Sequence, residues 1–314
     1  MKYLCFITLL FILFYFSFKK INIERFDINK IPDLNKSNQK IIELINSKDS
    51  FIISRLGGVE SRITIDFLNN KKFKNDDLNA LSNNAGIYNK NKDDLSPINE
   101  WCKKYNNCLK KSRYLSCFER ICANQQNFYT DKFKLERLSS KVLEPFYIIN
   151  QNITPWTHYL LDKKILIINP FVNSFKVQIK NKFKMFKNKP IFLDNQKFLF
   201  YKTFQTHAGN HIHNNWLETF NIMCNDIKKL DFDIALLGCG GYGLPLCNFI
   251  KEDMNKSAIY IGGGLQLLFG VIGKRWENND VIKKIIKENN CKFIHPIKKD
   301  ILINNNRVEG GCYW

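Results

Sequence analysis

Apolar residues in NQKIIELINS fall at Ile41, Ile42 and Ile45, one face of an amphipathic helix that Lys48-Asp49-Ser50 brings to an end. FIIS (51–54) is a short continuous apolar run and predicts a buried strand; RLGG turns the chain, and VESRITIDFLNN returns to helical spacing. From 75 to about 160 the spacing is mainly helical, with Pro97 at the first turn of INEWCKKYNNCLKK and YLSCF a further strand candidate. KKILIINPF (163–171) reads as a buried parallel strand ended by Pro170, followed by a helix over SFKVQIKNKFKMF. PIFL and KFLFYKTF are strand candidates. Then come the helix NNWLETFNIMCNDIKKL, the strand FDIALLG, the helix LPLCNFIKEDM and the strand SAIYIGG. This alternation predicts an α/β fold with an open, mostly parallel, Rossmann-like sheet flanked by helices. Ligands of such sheets sit beyond the carboxyl ends of the strands, so the informative loops follow Ser54, Ile168, Leu237 and Ile261.

Ahead of that body, MKYLCFITLLFILFYFSF (1–18) is almost wholly apolar and is closed by Lys19-Lys20. As a helix it would reach about 24–27 Å, enough to serve as a membrane segment with snorkelling lysines. No small-residue cleavage site follows, so residues 1–20 are read as an uncleaved signal-anchor, 21–37 as a polar stalk and 38–314 as one α/β domain. Lys19, Lys20, Arg25 and Lys30 outweigh Lys2, which favours a cytoplasmic body, whereas the sequons at Asn35 and Asn255 favour the opposite side. The side of the membrane is left open.

With 45% hydrophobic and 14% aromatic residues in 314, the chain has the apolar area to fold, which excludes a disordered protein. Its net charge of +19 favours anionic partners, phosphorylated small molecules or acidic membrane surfaces. The basic residues are spread along the chain without an RNP, zinc-finger or helix-turn-helix signature, so no specific nucleic-acid partner is expected. The ten cysteines show no C-x-x-C spacing; Cys102, Cys108, Cys117 and Cys122 are either buried thiols or disulfide partners.

LLGCGGYGLPL (236–246) packs Gly238, Gly240, Gly241 and Gly243 into six positions after a strand. Gly238, Gly240 and Gly243 satisfy G-x-G-x-x-G, but Ile261-Gly262-Gly263 stand where the ribose-binding acid of a NAD site should be. The loop also echoes the glycine-rich loop of S-adenosylmethionine-dependent methyltransferases, a rival reading against which Leu236 stands in place of the acid that usually precedes their glycines. A second run, IGGGLQLLFGVIGKRW, brings Gly262, Gly263 and Gly264 and ends in Lys274-Arg275, two cations able to neutralise a diphosphate. Close packing of strand and helix is the competing reading of both runs. Arg275 is equally readable as a surface cation, and Trp276 as a core or lid residue.

FDIALLGCGGYGLPLCNFI, SAIYIGGGLQLLFGVIGKRW and the terminal VEGGCYW, with FIISRLGGVES, NNAGIY and KKILIINPF, resemble a family of uncharacterised bacterial and viral proteins related to glycosyltransferases of the GT-D fold. The resemblance covers about 38 to 314. It implies a transferase that moves a sugar from a nucleotide-sugar donor to a hydroxyl of a glycan or other acceptor. In those enzymes an R-Y-G-D-G-E-like loop follows the first strand and its D-x-E carboxylates hold a divalent metal on the donor diphosphate. Here the run is Arg55-Leu56-Gly57-Gly58-Val59-Glu60, so Glu60 matches the second carboxylate and Gly58 stands at the first. The resemblance thus implies a Mn²⁺ or Mg²⁺ ion with Glu60 as its one matching ligand, or Lys274 or Arg275 as the countercharge instead. Arg55, Glu60, Lys274 and Arg275 would surround the departing diphosphate, and the loops 238–243 and 262–264 would shape the donor pocket. Glu60 also reads as a first-turn acid facing a helix dipole. The general base is open among His207, His211, His213, Asp194 and Glu218, and a sugar- or nucleotide-binding protein without turnover is the alternative that Gly58 motivates.

Overall fold

The computed structural model describes residues 30–314, so the expected anchor and most of the expected stalk lie outside the described residues. Among the described residues no helix is long and apolar enough to cross a membrane. The first α-helix among the described residues spans Leu34–Asn46, beginning inside the segment read as stalk, because the Asp33 carboxylate accepts a hydrogen bond from the Lys36 amide at 2.8 Å and caps it. Its Ile41, Ile42 and Ile45 are buried, as their spacing predicts.

Among the described residues seven strands follow: β1 Ile52–Arg55, β2 Tyr114–Cys117, β3 Glu136–Ser139, β4 Lys164–Asn169, β5 Lys197–Lys202, β6 Ile234–Leu237 and β7 Ser257–Tyr260. They form one sheet in the order β3-β2-β1-β7-β6-β4-β5, and every pairing is parallel. In β4, β6 and β7 alternate side chains serve opposite layers. Ile165, Ile167, Ile234, Leu236 and Ile259 pack into one core, whereas Leu166, Ile168, Ala235, Leu237 and Ala258 pack into the other. A sheet covered on both faces needs apolar residues at both parities, which is why these strands read as unbroken hydrophobic runs.

Three expectations are corrected. The stretch 75–160, read as helical with YLSCF as its only strand candidate, also contains β3, whose ERLS sequence carries the polarity that an edge position tolerates. PIFL forms no strand; Ile191 is buried in a loop, its carbonyl accepting from Thr157 Oγ1. The helix read over 174–186 spans Val172–Lys180 and stops as Lys182 turns to φ +54°, in the left-handed region.

Because β1 leads outward to β2 while β6 leads inward to β7, and β4 leads outward to β5, the loops at the carboxyl ends of β4 and β6 diverge. Such a divergence opens a crevice above the sheet.

Candidate functional site

The crevice is closed from below by the Asn169 side chain and by close approach of loop backbones. Asn169, the last residue of β4, donates from Nδ2 to the Gly238 carbonyl at 2.7 Å and accepts at Oδ1 from the Phe171 amide at 2.8 Å, tying the β4 loop to the first glycine loop. A Cβ built on Gly238 would stand 2.5 Å from the Gly262 carbonyl, so the two glycine loops touch directly. Gly262 has φ +71°, and over it lies the Arg55 guanidinium, 3.5 Å from where a Cβ would be. The loops after β1, β4, β6 and β7 thereby meet around a cavity of about 440 Å³.

Its arginines are both partnered. Arg55, at the end of β1 and only 11% exposed, donates from Nη1 to Glu144 at 3.1 Å and lies 4.9 Å above the Phe118 ring. Arg275 pairs with Glu309, donates to the Tyr313 hydroxyl at 2.9 Å and stacks 4.5 Å over that ring. The hollow is therefore not a bare cationic basket: Glu144 and Glu309 offset both charges, and what remains for a ligand is the unused N–H groups, those of Arg55 lying beside Gly262.

Glu60, in the first turn of the helix Gly58–Leu68, faces the same cavity. Burial pushes its carboxyl up to about 7, and the charge of Glu309 adds to the rise. The carboxyl group lies against Gly57, where a Cβ would overlap it. Gly58 is exposed and offers no side chain, and what a Cβ would meet at it is the Cys122 sulfur at 3.8 Å. A hard divalent ion asks for several anionic or neutral oxygens, and among the described residues no group of three His, Cys, Asp or Glu side chains is arranged to hold one. Cys122, whose thiol burial keeps protonated, does not fill that role. The donor set does not fit the implied metal, and no chemical step is derived through it.

His207 is held between Gly86 and Gly240, whose φ values of +74° and +57° bring their backbones against the ring. Burial lowers its pKa to about 4, so the imidazole in the cavity wall is neutral at physiological pH. Tyr260 closes the gap beneath, donating to the Gly240 carbonyl at 3.1 Å.

Of the residues singled out from sequence, Arg55, Glu60, Arg275, Gly238, Gly240, Gly262, Gly263 and His207 line the cavity. Gly241, Gly243 and Gly264 do not; a Cβ on each would collide with Ile87, the Tyr260 ring and Glu144 respectively, which is the close-packing reading. Lys274 belongs to a separate surface depression with Glu277 and His295. His211 stacks on Tyr88 at 3.8 Å and His213 bonds Thr219 Oγ1 at 2.8 Å, both outside the cavity. Asp194 pairs with Lys184 and Glu218 bonds Asn214, so neither candidate base reaches the site. Trp276 is a core residue packed against Tyr313. The nine cysteines among the described residues are all free thiols. Sequence reasoning missed Glu144, Glu309, Phe118 and Asn169; of these only Asn169, a polar residue closing an apolar run before Pro170, carried a local signal.

No family model, curated protein or solved structure matches the chain.

Proposed function

We propose that the chain is a glycosyltransferase of GT-D-like organisation that moves a sugar from a nucleotide-sugar donor to an acceptor hydroxyl. The observation that carries this reading is the meeting of Arg55, Glu60 and Arg275, drawn from opposite ends of the chain, around one cavity at the carboxyl ends of a parallel sheet. A volume of about 440 Å³ is within the range of pockets that enclose a small-molecule ligand, about 300–1,000 Å³.

In this reading the diphosphate lies against the 238–240 and 262–263 backbone, where glycine permits close approach, and the free N–H groups of Arg55 stabilise the charge that grows on its leaving oxygen. Tyr313 and Trp314 in the cavity wall offer aromatic faces to a base or pyranose ring. Glu60, poised near neutrality, takes the proton of the acceptor hydroxyl as the new glycosidic bond forms. The diphosphate departs with the electron pair of the broken bond.

Incubation with a panel of nucleotide sugars tests the proposal. Release of nucleoside diphosphate that disappears in Glu60→Gln is the expected result; no turnover and no thermal shift with any donor would overturn it.

A second reading, a nucleotide- or sugar-binding protein without turnover, is favoured by Gly58 at the position of the expected carboxylate and by the prior pairing of both arginines. It expects nucleoside diphosphate binding that Glu60→Ala leaves unchanged.

A further inference from the structure

We propose that the face built by residues 176–197 is a docking surface for an anionic phospholipid bilayer, with lipid phosphates on its lysines and an acyl chain in the apolar cleft between them. Seven lysines lie between Lys176 and Lys197, all exposed, against one acid, Asp194. Asp194 is already paired with Lys184. The chain as a whole has 48 basic to 29 acidic residues, so the seven-to-one ratio here is a local concentration and not the general basicity of the sequence.

Charge alone would suit any polyanion; the apolar component narrows the choice. A cleft of about 450 Å³ opens among the lysines, walled by Phe183, Met185, Phe192, Phe198 and Phe269, with Lys182 and Lys184 on its lining. Phe192 stands 5.0 Å from Phe198 and 5.3 Å from Phe269, ring against ring, so the wall is continuous. On its lining Ile179, from the helix Val172–Lys180, is 45% exposed. A phosphate backbone has no use for an aliphatic and aromatic cleft, whereas a phospholipid presents a phosphate and a hydrocarbon chain together. Lysines that keep their heads in water while their stems cover apolar surface fit a bilayer interface.

The start of the described chain packs close to this face. Asn38, in the first helix, donates from Nδ2 to the Thr154 carbonyl at 2.9 Å and accepts from the Trp156 amide at 2.9 Å. His158 is bonded to the Pro190 carbonyl at 2.6 Å, and Lys189 reaches Asn152. One short segment, 152–158, thus separates the beginning of the folded body from the basic loop. The apolar run at 1–18 precedes that beginning by less than twenty residues.

The test offers the full-length protein two differently labelled vesicle populations together, phosphatidylcholine alone and phosphatidylcholine with phosphatidylglycerol. Lys19, Lys20, Arg25 and Lys30 beside the run add an anionic preference of their own, so the lysine face is read from the difference between the parent and a variant of the face. The expected result is a preference of about tenfold or more for the anionic vesicles at low salt, since each basic residue near such a surface adds severalfold. High salt should erase it. Lys176→Gln, Lys180→Gln, Lys182→Gln and Lys187→Gln combined should lower the preference about tenfold or more while leaving the thermal midpoint unchanged, and hydrogen exchange of 181–196 should slow on anionic vesicles only. Equal partition, a preference undiminished by the four substitutions, or displacement by duplex DNA at equal phosphate would overturn the proposal. Because the substituted lysines lie outside the 440 Å³ cavity, none of these outcomes bears on the transferase reading.

Discussion

The carboxyl group of Glu60 is folded back over the backbone of Gly57, so that a Cβ on Gly57 would overlap both of its oxygens. Gly57 itself is extended, with φ −95° and ψ 146°, a conformation open to any residue. Glycine is required there for space, not for backbone angle. Gly57→Ala should therefore leave the fold intact, at a helix-cap cost of about 0.5–1 kcal/mol, while it displaces the flexible end of Glu60. Carboxyl-labelled glutamate followed by NMR should show the Glu60 titration moving down from about 7 toward the ordinary range. An unmoved titration would mean that the buried position of this carboxyl does not depend on Gly57.

The raised carboxyl also fixes a sign for stability against pH. Its folded pKa of about 7 exceeds the ordinary 4.5, so the native state holds a proton that the unfolded chain has released over that interval. Glu60 then imposes no penalty below about 4.5, and stability falls as pH rises through 7. Glu60→Gln, which cannot ionise, should be more stable than the parent at pH 8 by about 1–3 kcal/mol and indistinguishable at pH 4. Paired denaturant titrations at the two pH values check this, and equal stability at pH 8 would contradict it.

Much of the architecture was legible because strands buried on both faces must be unbroken apolar runs. KKILIIN and FDIALLG announce β4 and β6 for that reason, and the ends of such strands mark where a ligand would sit. The edge strand β3 was illegible for the converse reason, since its ERLS has no periodicity that a solvated edge must keep. Within the site, adjacency in sequence was no guide to direction. Gly240 turns toward His207 in the cavity wall, whereas its neighbour Gly241 packs on Ile87 away from the cavity. Lys274 and Arg275 likewise part company. The electrostatic balance was illegible altogether, because Glu144 lies 89 residues from Arg55 and Glu309 lies 34 from Arg275, with no local motif to join either pair.

Two glycines one loop apart should respond in opposite ways. At Gly238 a Cβ would meet the Gly262 carbonyl at 2.5 Å and Asn169 Nδ2 at 2.9 Å, both anchored to the sheet, so the strain cannot be relieved by a side-chain swing. Gly238→Ala should lose about 1–3 kcal/mol as an overpacked substitution. Gly58 is exposed at the start of a helix, with its nearest obstacle at 3.8 Å, and Gly58→Ala should be neutral or gain a few tenths of a kcal/mol. Gly58→Asp should in addition raise the affinity for Mn²⁺, measured by calorimetry, because it places a second carboxylate beside Glu60. Loss of stability in both alanine variants would show that the β1 loop is packed more tightly than its exposure indicates.

The Arg55–Glu144 pair separates a structural role from a ligand role. Its side chains are 11% and 15% exposed, so Arg55→Met leaves a carboxylate in a poorly solvated place and should cost about 2–4 kcal/mol. Glu144→Gln leaves a guanidinium with fewer partners, and since that group also faces the cavity beside Gly262, nucleoside diphosphate should bind at least as tightly and with a steeper dependence on salt. The combination of Arg55→Met with Glu144→Gln removes both charges and should recover most of the lost stability, because no unpaired ion remains. It should not recover binding, since the donors that would face the diphosphate are gone. Thermal melts and calorimetry on the three variants decide the matter. A double variant that binds nucleoside diphosphate like the parent would make Arg55 a strut between β1 and the segment that carries Glu144, and would take from the proposed transferase the group assigned to its leaving oxygen.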